Sequence, residues 1–393
     1  MRVQKRMMIV SNVFLIPGTI ISGNEALEKS GSYLKKSGNK ALIVTDKMMV
    51  NIGNVQKLIN LLEKQKIGYE LFAEINSEPT DKMVYQGVKT YKEANCDFLI
   101  AIGGGSPIDT MKAIGAMLTN PGTLADYMGK EITTLPPTLI AIPTTAGTGS
   151  EATQFTIISD TQTEVKMLLK GAPLLPALAI VDPELTLTSP PNVTAATGID
   201  ALTHAIEAYT SKKSQPMSDT FAVSAVKRVF KNLLTAYKDG KDIEARKEMS
   251  IAALEAGIAF NNSSVTIVHG MSRPIGALFH VPHGLSNAML LSECLKFALG
   301  GSPERFCDLA RATGIYESNM SDLQGGQAFI TEVEKLCAQL QVSTPEQFGV
   351  DKKKFFDQLD KMAEDALKSG SPQNTIRNVG KEDIINIYKA LWK

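Results

Sequence analysis

Phe98-Leu-Ile-Ala-Ile-Gly103-Gly104-Gly105-Ser106-Pro107-Ile-Asp109 is the stretch on which the fold turns. An unbroken apolar run leads into three glycines and then into residues suited to a helix start. Such a run predicts a strand buried on both faces, as in a parallel sheet covered by helices. Ser106 is expected at the N-cap and Pro107 at the first helical position, with Asp109 completing a capping-box-like spacing. Three glycines before a helix let backbone N–H groups approach a phosphate closely. The same residues also read as a plain tight turn with a good cap, and the segment alone leaves both readings open. It is not the G-x-G-x-x-G dinucleotide fingerprint.

The pattern repeats outward from this point. Short apolar runs at 41–45, 139–142 and 177–181 are bounded by Gly, Pro, Asp or Thr. Amphipathic stretches at 55–64 and 81–94 lie between the early ones. Strands alternating with helices predict an α/β unit with a parallel sheet. After Pro190-Pro191 the pattern becomes helical, at 198–211, 219–237, 243–259 and 324–340. The double proline is the expected boundary, dividing an α/β domain over 1–190 from an all-helical domain over 191–393.

Two further segments bear on the glycine turn. Asp46 follows the run 41–45. A carboxylate there can accept both hydroxyls of an adenosine ribose and repel a 2′-phosphate, favouring NAD over NADP. The competing role is a helix cap. Pro143-Thr144-Thr145-Ala146-Gly147-Thr148-Gly149-Ser150-Glu151 directly follows the strand expected at 139–142. Small hydroxylated residues at a strand's C-terminal end suit a ligand-facing loop in an open α/β sheet. Two such loops together make a flexible connection the weaker reading.

Composition narrows the partners. The chain has 41 basic and 41 acidic residues in 393, so no net charge draws it to nucleic acid or an anionic membrane. Hydrophobic residues make up 44%, ordinary for a globular protein. Cys96, Cys294, Cys307 and Cys337 form no CxxC pair and read as free thiols in a reducing compartment. Arg2, Lys5 and Arg6 precede an apolar stretch from Met7 to Ile21, as in a signal peptide. Ser11, Asn12, Pro17 and Gly18 interrupt it, and a first strand and turn is the expectation. No run approaches the ~18 apolar residues of a membrane span, so a cytoplasmic location is expected.

All four histidines fall between His204 and His283. Asp200 and His204 are four apart, on one face of the expected helix, with Glu207 beside them to support His204 or to serve as an ordinary partner. Alone, the pair reads equally well as a satisfied structural contact. His269 and His283 follow, separated by Arg273-Pro274 and glycines that suggest a kinked helix and a returning loop. Three imidazoles and one carboxylate would leave room for a substrate oxygen and suit Fe(II) or Zn(II) better than Mg or Ca.

Taken together, five segments carry a resemblance over nearly the whole chain. They are GGGSPIDTMKA at 103–113, PTTAGTGSEAT at 143–153, VKMLL…LPALAIVDP at 165–183, GIDALTHAIEAY at 198–209 and HGMSRPIGALFHVPHGLSNAMLL at 269–291. In this order they resemble the iron-containing, or group III, alcohol dehydrogenases, of the superfamily that includes glycerol dehydrogenase and dehydroquinate synthase. The resemblance implies an N-terminal NAD-binding α/β domain, a C-terminal all-α metal-binding domain and an active site in the cleft between them. It implies metal ligation by Asp200, His204, His269 and His283. The pyrophosphate loop falls on Gly103, Gly104, Gly105 and Ser106, with Asp109 in the same motif. Nicotinamide-side contacts fall on Thr144, Thr145 and Lys166, and the NAD-selecting acid on Asp46. The implied activity is metal-assisted hydride transfer between a primary alcohol or diol and NAD, giving the aldehyde. Fe(II) is the implied metal, with Zn(II) as the alternative. A homodimer or larger homo-oligomer is the family habit.

Two departures stand out. Many members carry a second histidine four residues after the first histidine of the fifth segment, where this chain has Arg273. Arg273 either holds an anionic substrate group or pairs with a nearby acid. Members often have Asn-Pro-Thr where this chain has Glu78-Pro79-Thr80, which puts one adenosine-side hydrogen bond in question. His280 stands three residues before His283, as a proton relay in the cleft or as a loop residue. Small apolar residues around the motifs suit short aliphatic or diol substrates.

Overall fold

The computed structural model describes residues 11–76, 78–163 and 165–392. The basic residues Arg2, Lys5 and Arg6 and the start of the apolar stretch at Met7 lie outside the described residues. The strands are β1 (Thr19–Ser22), β2 (Lys40–Val44), β3 (Gly68–Phe72), β4 (Phe98–Gly103), β5 (Leu139–Pro143), β6 (Phe155–Ser159), β7 (Lys166–Lys170) and β8 (Leu178–Val181). Six form one sheet in the order β1-β8-β5-β4-β2-β3, and β6 pairs with β7 in a separate ribbon. Every pairing in the large sheet is parallel, and the ribbon is antiparallel.

The apolar runs are continuous because both sheet faces are covered. Side chains alternate across a strand. Leu42, Val44, Leu99, Ala101, Leu139 and Ala141 therefore enter one core, with Ile108, Met111 and Ile114 of the helix Gly105–Thr119. Ala41, Ile43, Phe98, Ile100, Ile102, Ile140 and Ile142 enter the other, with Val55, Leu58 and Leu62 of the helix Asn54–Lys64. Each fully buried Ile or Leu contributes about 1.5–3 kcal/mol relative to exposure.

The register positions the loops. Ile102 pairs with Ile142 and Gly103 with Pro143, while Val44 pairs with Ala101. Because β2, β4 and β5 are parallel neighbours, Asp46, Gly103–Gly105 and Thr144–Thr145 emerge at one edge of the sheet. Ligands bind at this edge in open α/β sheets.

The cap expected at Ser106 is corrected. The helix begins at Gly105 with Gly104 as its N-cap, and no side chain caps it. β4 runs through Gly103, so the chain turns into the helix earlier than the serine suggests. Gly103 adopts φ +153°, and a Cβ there would lie 2.6 Å from Pro107 Cγ.

Beyond β8 the chain is helical. Pro190 is the N-cap and Pro191 the first residue of the helix Pro191–Tyr209. Further helices include Pro216–Lys238, Ile243–Ser263, Ile267–Phe279, His283–Leu299 and Asp322–Gln339. Their apolar faces form a separate core that includes Ile199, Leu202, Ile206, Val226, Val229 and Leu290. Among the described residues no single helix is long and apolar enough to cross a membrane.

Candidate active site

Three helices bring the candidate metal ligands together. Asp200 and His204 lie one turn apart on Pro191–Tyr209, His269 lies on Ile267–Phe279, and His283 opens His283–Leu299. Asp200 is the hub. Its Oδ1 lies 3.6 Å from His269 Nε2, 3.8 Å from His283 Nε2 and 4.0 Å from His204 Nε2. Ligands about 2.1 Å from a tetrahedral cation stand about 3.4 Å apart, so this spacing is close to a ligand shell. The ligand atoms of Asp200, His269 and His283 all lie within 4.8 Å of one another, with His204 outside this tightest trio. Asp200, His204 and His269 are buried, whereas 42% of the His283 side chain is exposed and gives the cluster its open side.

Electrostatics hold the donors ready. Burial works to raise the Asp200 pKa, but His204, His283 and His269 overcome it and hold the carboxyl well below its usual range. Burial pushes the His204 imidazole down to about 4 against the pull of Asp200. His283 is likewise held low, at about 4. Neutral imidazoles are the form a metal requires. His269 is the exception: burial lowers its pKa, but Glu207 and Asp200 together overcome it and raise the ring to about 9, so this imidazole must give up a proton to ligate. Glu207 Oε2 lies 2.5 Å from His269 Nδ1, and its Oε1 accepts from Thr266 Oγ1 and Val268 N, both at 2.7 Å. Glu207 thus orients His269, and of the two roles open to it in the sequence the hydrogen bond to His204 is not the one it takes. A residue at the end of one helix was closer in space to a helix 60 residues on than to its own neighbour.

Asn287 had no place in the sequence reading. Its Nδ2 donates to Asp200 Oδ1 at 2.7 Å and lies 3.1 Å from His269 Nε2 and 3.2 Å from His283 Nε2. Its Oδ1 and His204 Nδ1 are buried without a hydrogen-bond partner. The available signal was its position four residues after His283, on the same helix face. An acid, three imidazoles and an amide converging on one point fit a divalent cation.

The strand ends form the second half of the site. The Thr145 hydroxyl is buried without a hydrogen-bond partner among the described residues, and it is Thr145 that a Cβ on Gly104 would meet, at 3.7 Å. Glycine backbone beside an unpaired hydroxyl fits a phosphate cradle. Thr144 N donates to Gly103 O at 2.9 Å, which ties the two loops together. Gly104, Gly105 and Ser106 are partly exposed. Asp46 Oδ1 accepts from Met49 N at 2.9 Å and caps a short helix, and its Oδ2 is 3.5 Å from the position of a Gly103 Cβ. Asp109 faces away from the cradle. It accepts from Ser150 Oγ at 2.5 Å and Ile157 N at 3.0 Å, and so braces the second loop.

The two halves touch. A Cβ on Gly147 would lie 2.4 Å from Thr197 Cβ, one turn before Asp200. Lys166 pairs with Glu78, with Nζ 2.7 Å from Oε2, and lies 3.9 Å from where a Gly276 Cβ would stand on the His269 helix. The glutamate that replaces the family's asparagine thus engages the lysine expected on the nicotinamide side. His280 is exposed at the helix end, with φ 54°, in the position of a cap and outside the ligand cluster. Arg273 lies one turn after His269 and is partly buried.

A phosphate cradle at parallel strand ends, packed against an Asp/His metal cluster on a helical bundle, defines a metal-dependent dinucleotide oxidoreductase. Comparison with known proteins agrees. The model of the family "Iron-containing alcohol dehydrogenase" matches residues 17–183, and "Fe-containing alcohol dehydrogenase family, C-terminal" matches residues 194–392. The 1,3-propanediol dehydrogenase of Citrobacter freundii is 36% identical over 384 residues, covering 96% of this chain and 98% of the relative. The NAD-dependent methanol dehydrogenase of Bacillus methanolicus is 36% identical over 383 residues, covering 97% and 99%. The crystal structure of a 1,3-propanediol oxidoreductase superposes with a TM-score of 0.94 at 34% identity, covering 97% of this chain and 100% of that one. The chain belongs to the iron-containing alcohol dehydrogenase family. It is an oxidoreductase acting on CH–OH groups, with NAD-linked interconversion of alcohols and aldehydes and a metal cofactor.

Proposed function

We propose that the substrate is a short primary alcohol or diol, oxidised to its aldehyde, and that Fe(II) is the working metal with Zn(II) as a competent substitute. The observation that carries this reading is Asp200 Oδ1 standing 3.6–4.0 Å from three imidazole nitrogens, with His283 open to the cleft. Overall, the carbinol loses a hydride to NAD and a proton to solvent. A divalent cation held here supplies Lewis acidity toward the substrate oxygen. Asp200, His204, His269 and His283 would hold it, and Glu207 fixes the ring plane of His269.

The cofactor would lie along the strand ends. Gly103, Gly104, Gly105 and Ser106 offer backbone N–H groups to the pyrophosphate. Thr144, Thr145 and Lys166 would serve the nicotinamide side, and Asp46, beside the glycine turn, would be the carboxylate partner of the ribose. Asp109 serves by bracing the Ser150 turn. This divides the labour at Pro190–Pro191, with NAD on residues 1–190 and metal on 191–393. Two relatives named for 1,3-propanediol and methanol, both primary alcohols, support the substrate class. The free cysteines suit the reducing cytoplasm, and a homodimer or larger assembly follows the family habit.

The test follows NADH absorbance with anaerobically purified, Fe(II)-loaded protein and a panel of primary alcohols and diols, repeated with Zn(II). Metal-dependent NADH formation is expected. Turnover that survives removal of all metal would overturn the proposal.

A further inference from the structure

The position one turn beyond His269 remains unexplained by the metal site and the cofactor cradle. Arg273 lies four residues after His269 on the helix Ile267–Phe279, so the two share a face. Long side chains in a helix fold back over the preceding turn, here the turn that bears His269. The guanidinium is desolvated, which lowers its pKa against an opposing pull from Glu207. Yet among the described residues no hydrogen bond and no ion pair reaches Arg273.

Glu207, the acid that acts on Arg273, is committed elsewhere. Both Glu207 oxygens are taken by Thr266, Val268 and His269. Asp200 is enclosed by Asn287 and the histidines. Lys166, which lies against the same helix at Gly276, is paired with Glu78. Arg273 is partly buried, and with no protein partner among the described residues its donors stay available to an incoming group. Its planar fork matches a carboxylate or sulfonate in two parallel hydrogen bonds.

We propose that Arg273 receives the anionic end of the substrate, so that the preferred substrate is a short aldehyde or alcohol with a terminal carboxylate or sulfonate. This rests on the dehydrogenase reading above and sharpens its substrate class. A neutral alcohol would leave the guanidinium without that partner, and specificity follows from the difference.

The experiment compares three aldehydes of equal length, 4-oxobutanoate, its sulfonate counterpart and butanal, with Fe(II)-loaded enzyme and NADH. Wild type should favour at least one anionic aldehyde over butanal by about tenfold or more in kcat/KM. Arg273→Gln should bring that ratio toward one, and Arg273→Lys should retain part of it. The two anionic arms decide between carboxylate and sulfonate. Equal handling of butanal and both anions by wild type would overturn the proposal. So would an Arg273→Gln variant that slows all three by one factor, which marks a structural role, or one that raises the KM for NADH instead, which assigns the arginine to the cofactor. If wild type reduces no aldehyde, the dehydrogenase reading fails. Calorimetric binding of butanoate then decides for Arg273, since binding lost in Arg273→Gln supports the anion site and no binding to wild type overturns it.

Discussion

Glu207 Oε2 lies 2.5 Å from Nδ1 of His269, which leaves Nε2 of the same ring turned toward Asp200. Glu207 itself touches no point where a cation would sit. It fixes the tautomer and the ring plane, and it raises the donor strength of the imidazole. Glu207→Gln keeps the shape but removes the charge. Metal affinity should fall by about 10–100-fold, as is usual for partners behind a ligand. Chelator competition measures this directly, and affinity unchanged within twofold would remove Glu207 from the account.

The division of labour between the two halves is tested at the ligands. His269→Ala and His283→Ala should each abolish metal-dependent turnover. NAD binding, followed by protein fluorescence, should persist within a few-fold. His269 is buried and holds Glu207, so its loss also leaves a buried carboxylate short of a partner. His283 is more exposed and should be the gentler substitution for stability. Loss of NAD binding in the His283 variant would refute the split.

Asp46 carries two roles that substitutions can separate. It caps the helix Lys47–Asn51 through Met49 N, and it stands beside the glycine turn. Asparagine caps as well as aspartate but carries no charge. Asp46→Asn should therefore leave thermal stability nearly unchanged while shifting the ratio of NADP to NAD efficiency upward by about tenfold, the scale of one lost charge contact. Asp46→Ala should shift the same ratio and also destabilise by about 1 kcal/mol. An unchanged ratio in both variants would reduce Asp46 to a cap.

Much of this was legible in the chain, and the failures have physical causes. The strands at the sheet centre announced themselves because both faces are buried, so their apolar runs are unbroken, as in β4. β3 did not, because it lies at the edge of the sheet with Gly68 and Leu71 exposed and its pattern broken. Asp200, His204, His269 and His283 were readable as candidate ligands from residue type and order, and the structure brings the ligand atoms of Asp200, His269 and His283 within 4.8 Å of one another, with His204 Nε2 4.0 Å from Asp200 Oδ1. Their support was not. Glu207 was left open between supporting the nearer His204 and being an ordinary partner because sequence distance was the only guide, whereas its partner comes from another helix. Asn287 escaped because a lone asparagine has no spacing signature. Ser106 was placed one turn position late because a good capping residue competed with a strand that continued to Gly103. Whether Arg273 paired with an acid could be decided only in three dimensions.

A close approach of two glycines gives a test that touches neither metal nor cofactor. Gly149, at φ +62° in the second loop, faces Gly257 inside the helix Ile243–Ser263. A Cβ on Gly257 would lie 2.7 Å from Gly149 O and 2.9 Å from its Cα, both backbone atoms. Alanine is the better helix former by about 1 kcal/mol, so propensity alone favours Gly257→Ala. The clash falls on the loop backbone, however, and the loop must move. Gly257→Ala should displace the Thr144–Thr145 end of that loop and raise the KM for NAD at least about threefold, more than it changes metal affinity. Equal NAD kinetics with increased stability would show that the loop yields without consequence.

The same loop carries a pH dependence in Glu151. This carboxyl is 2% exposed, and burial pushes its pKa up to about 7, with Lys112 opposing. A pKa higher in the folded chain than in the unfolded one means that the folded state holds the proton more tightly. The contribution to stability is therefore complete below the ordinary carboxylate value of 4.5 and is lost as pH rises through about 7. Lys112, fully buried, has the opposite sign. Burial lowers it to about 8 from 10.5, so its contribution is complete above 10.5 and lost as pH falls through about 8. Its ammonium is nevertheless held by Ser150 O at 2.6 Å, Thr153 O at 2.8 Å and Phe155 O at 2.9 Å, which keeps it in place while charged. Together the two groups put a trough in stability between about pH 7 and 8. Glu151→Gln should remove the acid-side branch of the trough, a difference on the order of 3 kcal/mol between pH 5 and 7. Thermal melts of wild type and variant across that range check it, and titration of the metal ligands, common to both proteins, drops out of the comparison. Parallel curves for the two proteins would mean that the Glu151 charge is satisfied in the fold and that the burial penalty is offset locally.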